Sequence, residues 1–584
     1  MYSNIYFLFY LLSLCSLTPI EIADYSYPSP NDPNIYYVAL LGVNDIHGTY
    51  FPSETTIPST GEKYLTGGLD YLGKYISIMQ NEWKDRFLWF DGGDEFQGGL
   101  ETKLSEGVLI TEFFNTMGLT AATFGNHEWD YGPEYLVERL KNSTFEYLAC
   151  NIKNTTSGET KFLPKQELYK IYTAGKVKIG VIGMANFVKK ETSSGKFTDI
   201  DFIQYKEALL KIIKEVRTQS NAVILLGHMA LNCEESPTKN VLQIFTKNTI
   251  QGQCRNNTEV AEFLYSLVPN VVDAIISGHS HDETHQWIND YPVMSAINFG
   301  QTTNIMYLPF DPDTLTLLRD EIKIEAPLPV CEKVFSNIKR CPQGLTQAQI
   351  DAAGELTQYT FHGVLIEKEE KLKSLSDHWY EIYDKFKKDT VMTISATMEI
   401  SKNEETALGN LYTDILRKVT GADIAVINPA GFRIKWSSGN VTAADVYSMT
   451  PYEHYISSFE MKGRDVRRMF FEIEGGAYAF YPTSGLKLDV KLTPKKKLVR
   501  VRLFDGERES EIEDEKVYKI ATVDFLYPNG GDDFAKVKKW FIKPEKVAIG
   551  NLIKEDALSY LRHVDTIDVD KLIDKDNPRL RIIS

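Results

Sequence analysis

A chain of 584 residues with 43% hydrophobic and 25% charged content is too long for one hydrophobic core, so two or more domains are expected. Its formal net charge of −16 argues against a nucleic-acid or anionic-membrane binder. The apolar run IYFLFYLLSLC, residues 5–15, has signal-peptide length and is short for a bilayer span. Residues 1–23 are therefore read as a signal peptide with its cleavage site open, although no Lys or Arg precedes the run. Export agrees with Asn-x-Ser/Thr sequons at Asn142, Asn154, Asn256 and Asn440. Beyond the leader stand Cys150, Cys233, Cys254, Cys331 and Cys341. Pairs Cys233–Cys254 and Cys331–Cys341 would close short loops and leave Cys150 over, but connectivity cannot be read from spacing. The ending NPRLRIIS has no apolar tail, so a secreted protein without a membrane anchor is expected.

From residue 36 to about 325, apolar runs such as YYVALLGV, RFLWF, VKIGVIGM, NAVILLGH and VVDAIISGH alternate with amphipathic stretches, the pattern of an α/β domain. Prolines then break the pattern, and residues 326–365 look like an insertion closing a first domain of residues 36–365. Residues 366–389 are charged with apolar residues at helical spacing and are expected to form a connecting helix. A second α/β unit is expected over residues 390–584, with the strand candidates ADIAVINPAGF and KVYKIATVDFL.

The ends of the apolar runs carry the chemistry. VALLGV leads to Asp45 and His47, FLWF to Asp94, AATF to Asn126 and His127, VILLG to His228, and AIISG to His279 and His281. In an open, mostly parallel sheet the ligand crevice lies beyond the carboxyl ends of the strands. Of ten histidines in the chain, His47, His127, His228, His279 and His281 all fall at such ends. Any one of them alone would suit a core position; together, with oxygen donors beside them, they point to metal. Mixed oxygen and imidazole donors favour zinc, manganese or iron over calcium, and the lack of cysteine argues against a purely structural zinc site. Asp45, His47, Asp94, Asn126, His228, His279 and His281 are too many for one four-coordinate ion. Two ions sharing a carboxylate account for them, and paired ions about 3.5–4 Å apart serve phosphate-ester hydrolysis.

The motifs VNDIHG, DGGDEFQGG, FGNHEWDYG, a lone GH and SGHSHDE, in this order, resemble the 5′-nucleotidase and apyrase branch of the calcineurin-like metallophosphoesterases. The resemblance spans residues 36–584. It implies a four-layer sandwich followed by an α/β nucleotide-binding domain joined by a helix, and two divalent ions, zinc first, with Mn, Mg, Ca or Co as alternatives. It further implies that Asp45, His47 and His281 hold one ion, that Asn126, His228 and His279 hold the other, and that Asp94 bridges. His127 would face the substrate phosphate, oriented by Asp130.

In the second unit, Tyr452 and Phe525 are aromatic residues on separate loops that could sandwich a flat base, and Arg433 offers a fork for phosphate. The resemblance assigns Asn428, Arg433, Phe525 and Asp532 to nucleotide contacts. This chain departs from it with Tyr452 in place of Phe and with Lys402 where an arginine grips phosphate; a lysine lacks the planar fork. The implied activity is removal of terminal phosphates from extracellular nucleotides, ATP and ADP to AMP, with AMP cleavage to adenosine as the alternative. A small-molecule nucleotide is thus the expected partner. A silent nucleotide-binding or adhesion protein is the reading from another class, and the completeness of the ligand set weighs against it.

Overall fold

The computed structural model describes residues 27–57, 61–186, 199–233, 242–249, 254–255, 258–268, 270–341, 347–452, 454–474, 480–492, 496–528, 534–537 and 548–583. The expected signal peptide, Asn256 and Asp532 lie outside them.

Strand Tyr36–Val43 shows how the first domain is built. Val38 and Leu40 point into one core, while Tyr37, Ala39 and Leu41 point into another, as the two-residue period of a strand buried on both faces requires. The strand pairs parallel with Phe87–Asp91, which pairs parallel with Ala121–Thr123, inside an eight-stranded sheet. A six-stranded sheet contains Val177–Met184, Ala222–Gly227 and Ala274–Ile276, again parallel. The two sheets share a core of Val38, Leu40, Phe90, Val181, Ile224, Ile276 and Met306. Helices Leu69–Trp83 and Val108–Met117 cover the outer face of the first sheet through Leu72, Ile76, Met79 and Phe113. Helices Tyr205–Gln219 and Glu259–Ser266 cover the second through Leu209, Val216 and Leu264. The result is a helix–sheet–sheet–helix sandwich.

Residues 323–329 form a strand of the first sheet and pair antiparallel with Thr302–Phe310. Residues 326–329 thus belong to the sheet, although they fall in the stretch expected to be an insertion. The prolines misled because, among the described residues, the neighbour on the other side, Gln243–Phe245, pairs with residues 324–326, and Pro327 and Pro329 lie beyond that pairing. Beyond the strand, Cys331 and Cys341 form a disulfide, and Lys333–Phe335 pairs with Leu356–Gln358.

The connecting helix runs over Lys373–Lys388 after a short turn at Glu370–Leu372. It starts later than residue 366 because the Glu369 N–H is committed to the Asp70 carbonyl at 2.9 Å. The helix touches both domains. Phe51 stacks on Tyr383 at 5.0 Å, Tyr50 Oη meets Ser376 Oγ at 2.8 Å, and at the far end Ala443 N–H donates to the Asp389 carbonyl at 2.9 Å. Among the described residues the second domain has sheets of five, four and three strands, with helix Ala407–Thr420 packed through Leu408, Leu411 and Ile415. Thr406 caps that helix by accepting from Gly409 N–H at 3.1 Å, and Gly421 ends it at φ 61°. No helix among the described residues is long and apolar enough to cross a membrane.

Candidate metal centre

The parallel registers put the strand ends level. Val43 lies opposite Asp91 and Met184 opposite Gly227, so the loops that follow meet at one edge of the sandwich. These loops turn sharply. Asp45, His47, Asp94, His279 and His281 have φ of 52°, 49°, 60°, 77° and 58°, a left-handed conformation that only Gly, Asn, Asp and His enter readily. Such strain persists where the surroundings over-determine it, and it concentrates at functional sites. Gly125 is needed for close approach, since a Cβ there would stand 2.1 Å from Asp94 Oδ1.

The loops bring together two clusters, Asp45–His47–His281 and Asp94–His228–His279, each with its donor atoms within 4.8 Å of one another. Asp45 Oδ1 lies 3.2 Å from His281 Nε2 and 3.8 Å from His47 Nε2. Its other oxygen accepts from Asn44 Nδ2 at 2.7 Å and from His279 N–H at 2.8 Å, which frees Oδ1 for the cluster. Asp94 Oδ2 lies 3.1 Å from His228 Nε2 and 3.9 Å from His47 Nε2, one in each cluster, the position a shared carboxylate needs. Three of the four imidazoles are aimed from behind. His47 Nδ1 meets the Gln97 carbonyl at 2.8 Å, His228 Nδ1 the Gly92 carbonyl at 2.7 Å, and His281 Nδ1 the Asn298 amide at 2.9 Å.

The donor set fits a pair of cations. Asn126 Oδ1 is buried with no hydrogen-bond partner, and the buried Asp45 Oδ1 and His228 Nε2 meet only other members of the clusters. Leaving such atoms unpaired in a protein interior is costly, and a bound ion removes the cost. The titration behaviour agrees. Burial works against charge on His228, but Asp94 and Asp45 push it up to about 10, while burial and His228 push His279 down to about 4. Burial, then His281, holds His47 well below the usual imidazole range. The carboxylates thus draw positive charge into a space crowded with imidazoles.

His127 belongs to neither donor cluster, although its ring meets that of His47 edge-on at 5.3 Å. Its Nδ1 meets Asp130 Oδ2 at 2.7 Å, and its backbone N–H donates to Asp94 Oδ1 at 2.8 Å. Burial works against its protonation, yet Asp130 and Asp94 outweigh that and raise it above the ordinary value. The second domain reaches this point, with the Tyr452 ring 5.7 Å from that of His127 and the Arg433 guanidinium 5.6 Å from Tyr452. Asn428 is buried, and its Oδ1 has no hydrogen-bond partner. Lys402 is exposed on a bend and makes no ion pair among the described residues; its carbonyl accepts from Phe480 N–H at 2.9 Å. Tyr452 and Phe525 are both buried, but His454 bridges them, a residue to which the sequence pattern assigns no role.

Glu128 is a second residue that the sequence pattern leaves without a role, although it completes the GNHE motif. It is fully buried, and its carboxylate accepts from the N–H groups of Asp94, Glu95 and Gly125 at 2.9, 2.7 and 2.5 Å. It clamps the Asp94 loop to the Asn126 loop. Glu128→Gln should therefore weaken metal affinity by roughly 10–100-fold with little loss of fold, as measured by metal titration of the chelator-stripped protein.

This sandwich, with its strand-end carboxylates and imidazoles, defines a metal-dependent phosphoester hydrolase, and residues 39–283 match the calcineurin-like phosphoesterase family. Residues 387–539 match the 5′-nucleotidase C-terminal domain. The chain belongs to the 5′-nucleotidase family of the calcineurin-like metallophosphoesterases, whose members use a binuclear metal site. It is 21% identical over 543 residues to the 5′-nucleotidase of Bos taurus, covering 87% of this chain and 85% of that protein. It is 22% identical over 518 residues to Endonuclease YhcR of Bacillus subtilis, covering 83% of this chain but only 37% of that longer protein. Among solved structures, the 5′-nucleotidase precursor from Thermus thermophilus superposes with a TM-score of 0.70 at 20% identity, covering 94% of this chain and 100% of that one.

Proposed function

We propose that this chain is a secreted nucleotide phosphohydrolase of the apyrase type, which removes terminal phosphates from ATP and ADP and stops at AMP. The observation that carries the reading is the meeting of two three-residue donor clusters with His127, Arg433 and Tyr452 from both domains. When bound, the two ions activate water and neutralise charge on the phosphoryl oxygens. The proposed assignments are Asp45, His47 and His281 for one ion, Asn126, His228 and His279 for the other, and Asp94 for both, with zinc as the metal that suits this donor set. His127, fixed by Asp130, would donate to a phosphoryl oxygen as charge develops there. Arg433 would pair with phosphate oxygens, and Asn428, whose Oδ1 lacks a partner, would meet a polar edge of the nucleoside.

Lys402, a point charge in place of a fork, supports a looser grip on a single terminal phosphate and hence the preference for longer phosphate chains. The relatives named 5′-nucleotidase favour the second reading, cleavage of AMP to adenosine. Secretion is supported by the disulfides Cys233–Cys254 and Cys331–Cys341 and by the exposure of the sequon residues Asn142 and Asn440. Phosphate release from ATP, ADP and AMP, measured in parallel with zinc supplied and a chelator control, decides between the two. Release from ADP well above that from AMP is expected; equal release selects the AMP reading.

A further inference from the structure

Tyr452 and Phe525 do not face each other across an open slot. The imidazole of His454 stacks on Tyr452 with centroids 4.9 Å apart and planes 25° apart, and it reaches Phe525 at 5.4 Å and 33°. His454 is 5% exposed, Tyr452 8% and Phe525 9%, so the three rings exclude water together. The ring is placed by its two aromatic neighbours and by the backbone on either side of it, while its Nδ1 makes no hydrogen bond among the described residues. Its Nδ1 lies 3.5 Å from Asp524 Oδ1, which also accepts from Tyr455 N–H at 3.1 Å, and the His454 carbonyl accepts from Ile553 N–H at 3.0 Å. On the metal side, Tyr452 lies beside His127 and Arg433.

We propose that His454 is a specificity-determining residue whose imidazole takes the place a nucleobase would occupy between Tyr452 and Phe525. The proposal rests on the nucleotide reading above and adds what that reading lacks, the weight of the base in recognition. A base gains from stacking on two aromatic faces only if both are free. Here Tyr452 already stacks on an internal ring and Phe525 packs against it at a tilt, so an incoming base must first break those contacts, and its net gain shrinks. Binding then rests on the phosphate chain, through Arg433 and the ions. Purine and pyrimidine nucleotides become near-equivalent substrates.

The test uses the full-length, metal-loaded protein and adenosine, which carries no phosphate and is bound without turnover. His454→Ala should bind adenosine about tenfold more tightly than wild type, and His454→Phe, which refills the space, should stay within about twofold. In turnover, the ratio of kcat/KM for ADP to that for inorganic tripolyphosphate should rise about tenfold in His454→Ala. Adenosine binding by His454→Ala that is unchanged or weaker, in protein melting at the wild-type temperature, overturns the proposal. The wild type gives a measurement that needs no variant. Adenosine, cytidine and uridine should bind within about threefold of one another, and a preference of about tenfold or more for one of them overturns it. Hydrolysis of tripolyphosphate without hydrolysis of any nucleotide would defeat the nucleotide reading, while the adenosine titrations would still decide the part played by His454.

Discussion

Replacing Asp94 by alanine is expected to leave a folded protein whose hydrolysis falls by at least about 10³-fold, beyond the roughly 10²–10³ lost with a single transition-state donor elsewhere. One Asp94 oxygen stands between His228 of one cluster and His47 of the other, and the second oxygen accepts the His127 N–H. Its removal therefore loosens both candidate ion sites and the loop bearing His127, the imidazole proposed to face the phosphate. The fold should survive, because Asp94 lies on a loop outside the strands and both sandwich cores are untouched. Removing a buried carboxylate even relieves some desolvation. Asp94→Asn, which keeps the shape and discards the charge, should behave alike. The measurements are metal content by elemental analysis, expected to fall from two ions per chain, together with phosphate release and thermal melting. Activity near wild type with both ions retained would refute the shared role.

His127→Ala should give a different signature. The side chain belongs to neither cluster, so both ions should remain, while kcat falls by roughly 10²–10³ and KM changes little. Asp130→Asn should move kcat the same way by a smaller factor, because Asp130 Oδ2, 2.7 Å from His127 Nδ1, is proposed to act only through the orientation of the ring. If metal were lost along with activity in His127→Ala, the residue would be a ligand and the assignment would fall. A change in KM alone would place it in ground-state binding.

The sandwich and the strand-end residues were legible because two signals coincided. Runs such as VKIGVIGM are apolar at nearly every position, the mark of a strand buried on both faces, and the runs end in Asp, Asn or His with glycine close by. Glu128 was not legible because its work is done on backbone N–H groups of two loops, and nothing in the spacing of one glutamate announces three backbone donors. The strand at Lys323–Pro329 was hidden by its prolines, which lie beyond the pairing with Gln243–Phe245 seen among the described residues. His454 was hidden because its partners come from separated segments, Tyr452 nearby and Phe525 far along the chain, and periodicity carries no information about such a meeting.

The left-handed backbone at Asp45, His47, Asp94, His279 and His281 has a consequence for how this centre tolerates change. A branched side chain such as valine would lose the donor and also resist the torsion, so it is penalised twice. In a saturation library scored for folding alone, these positions should admit glycine and asparagine and reject valine and isoleucine. The chain thus restricts its own choice of residues at the metal edge before any cation is present, and the two filters, torsion and donor chemistry, overlap on aspartate and histidine.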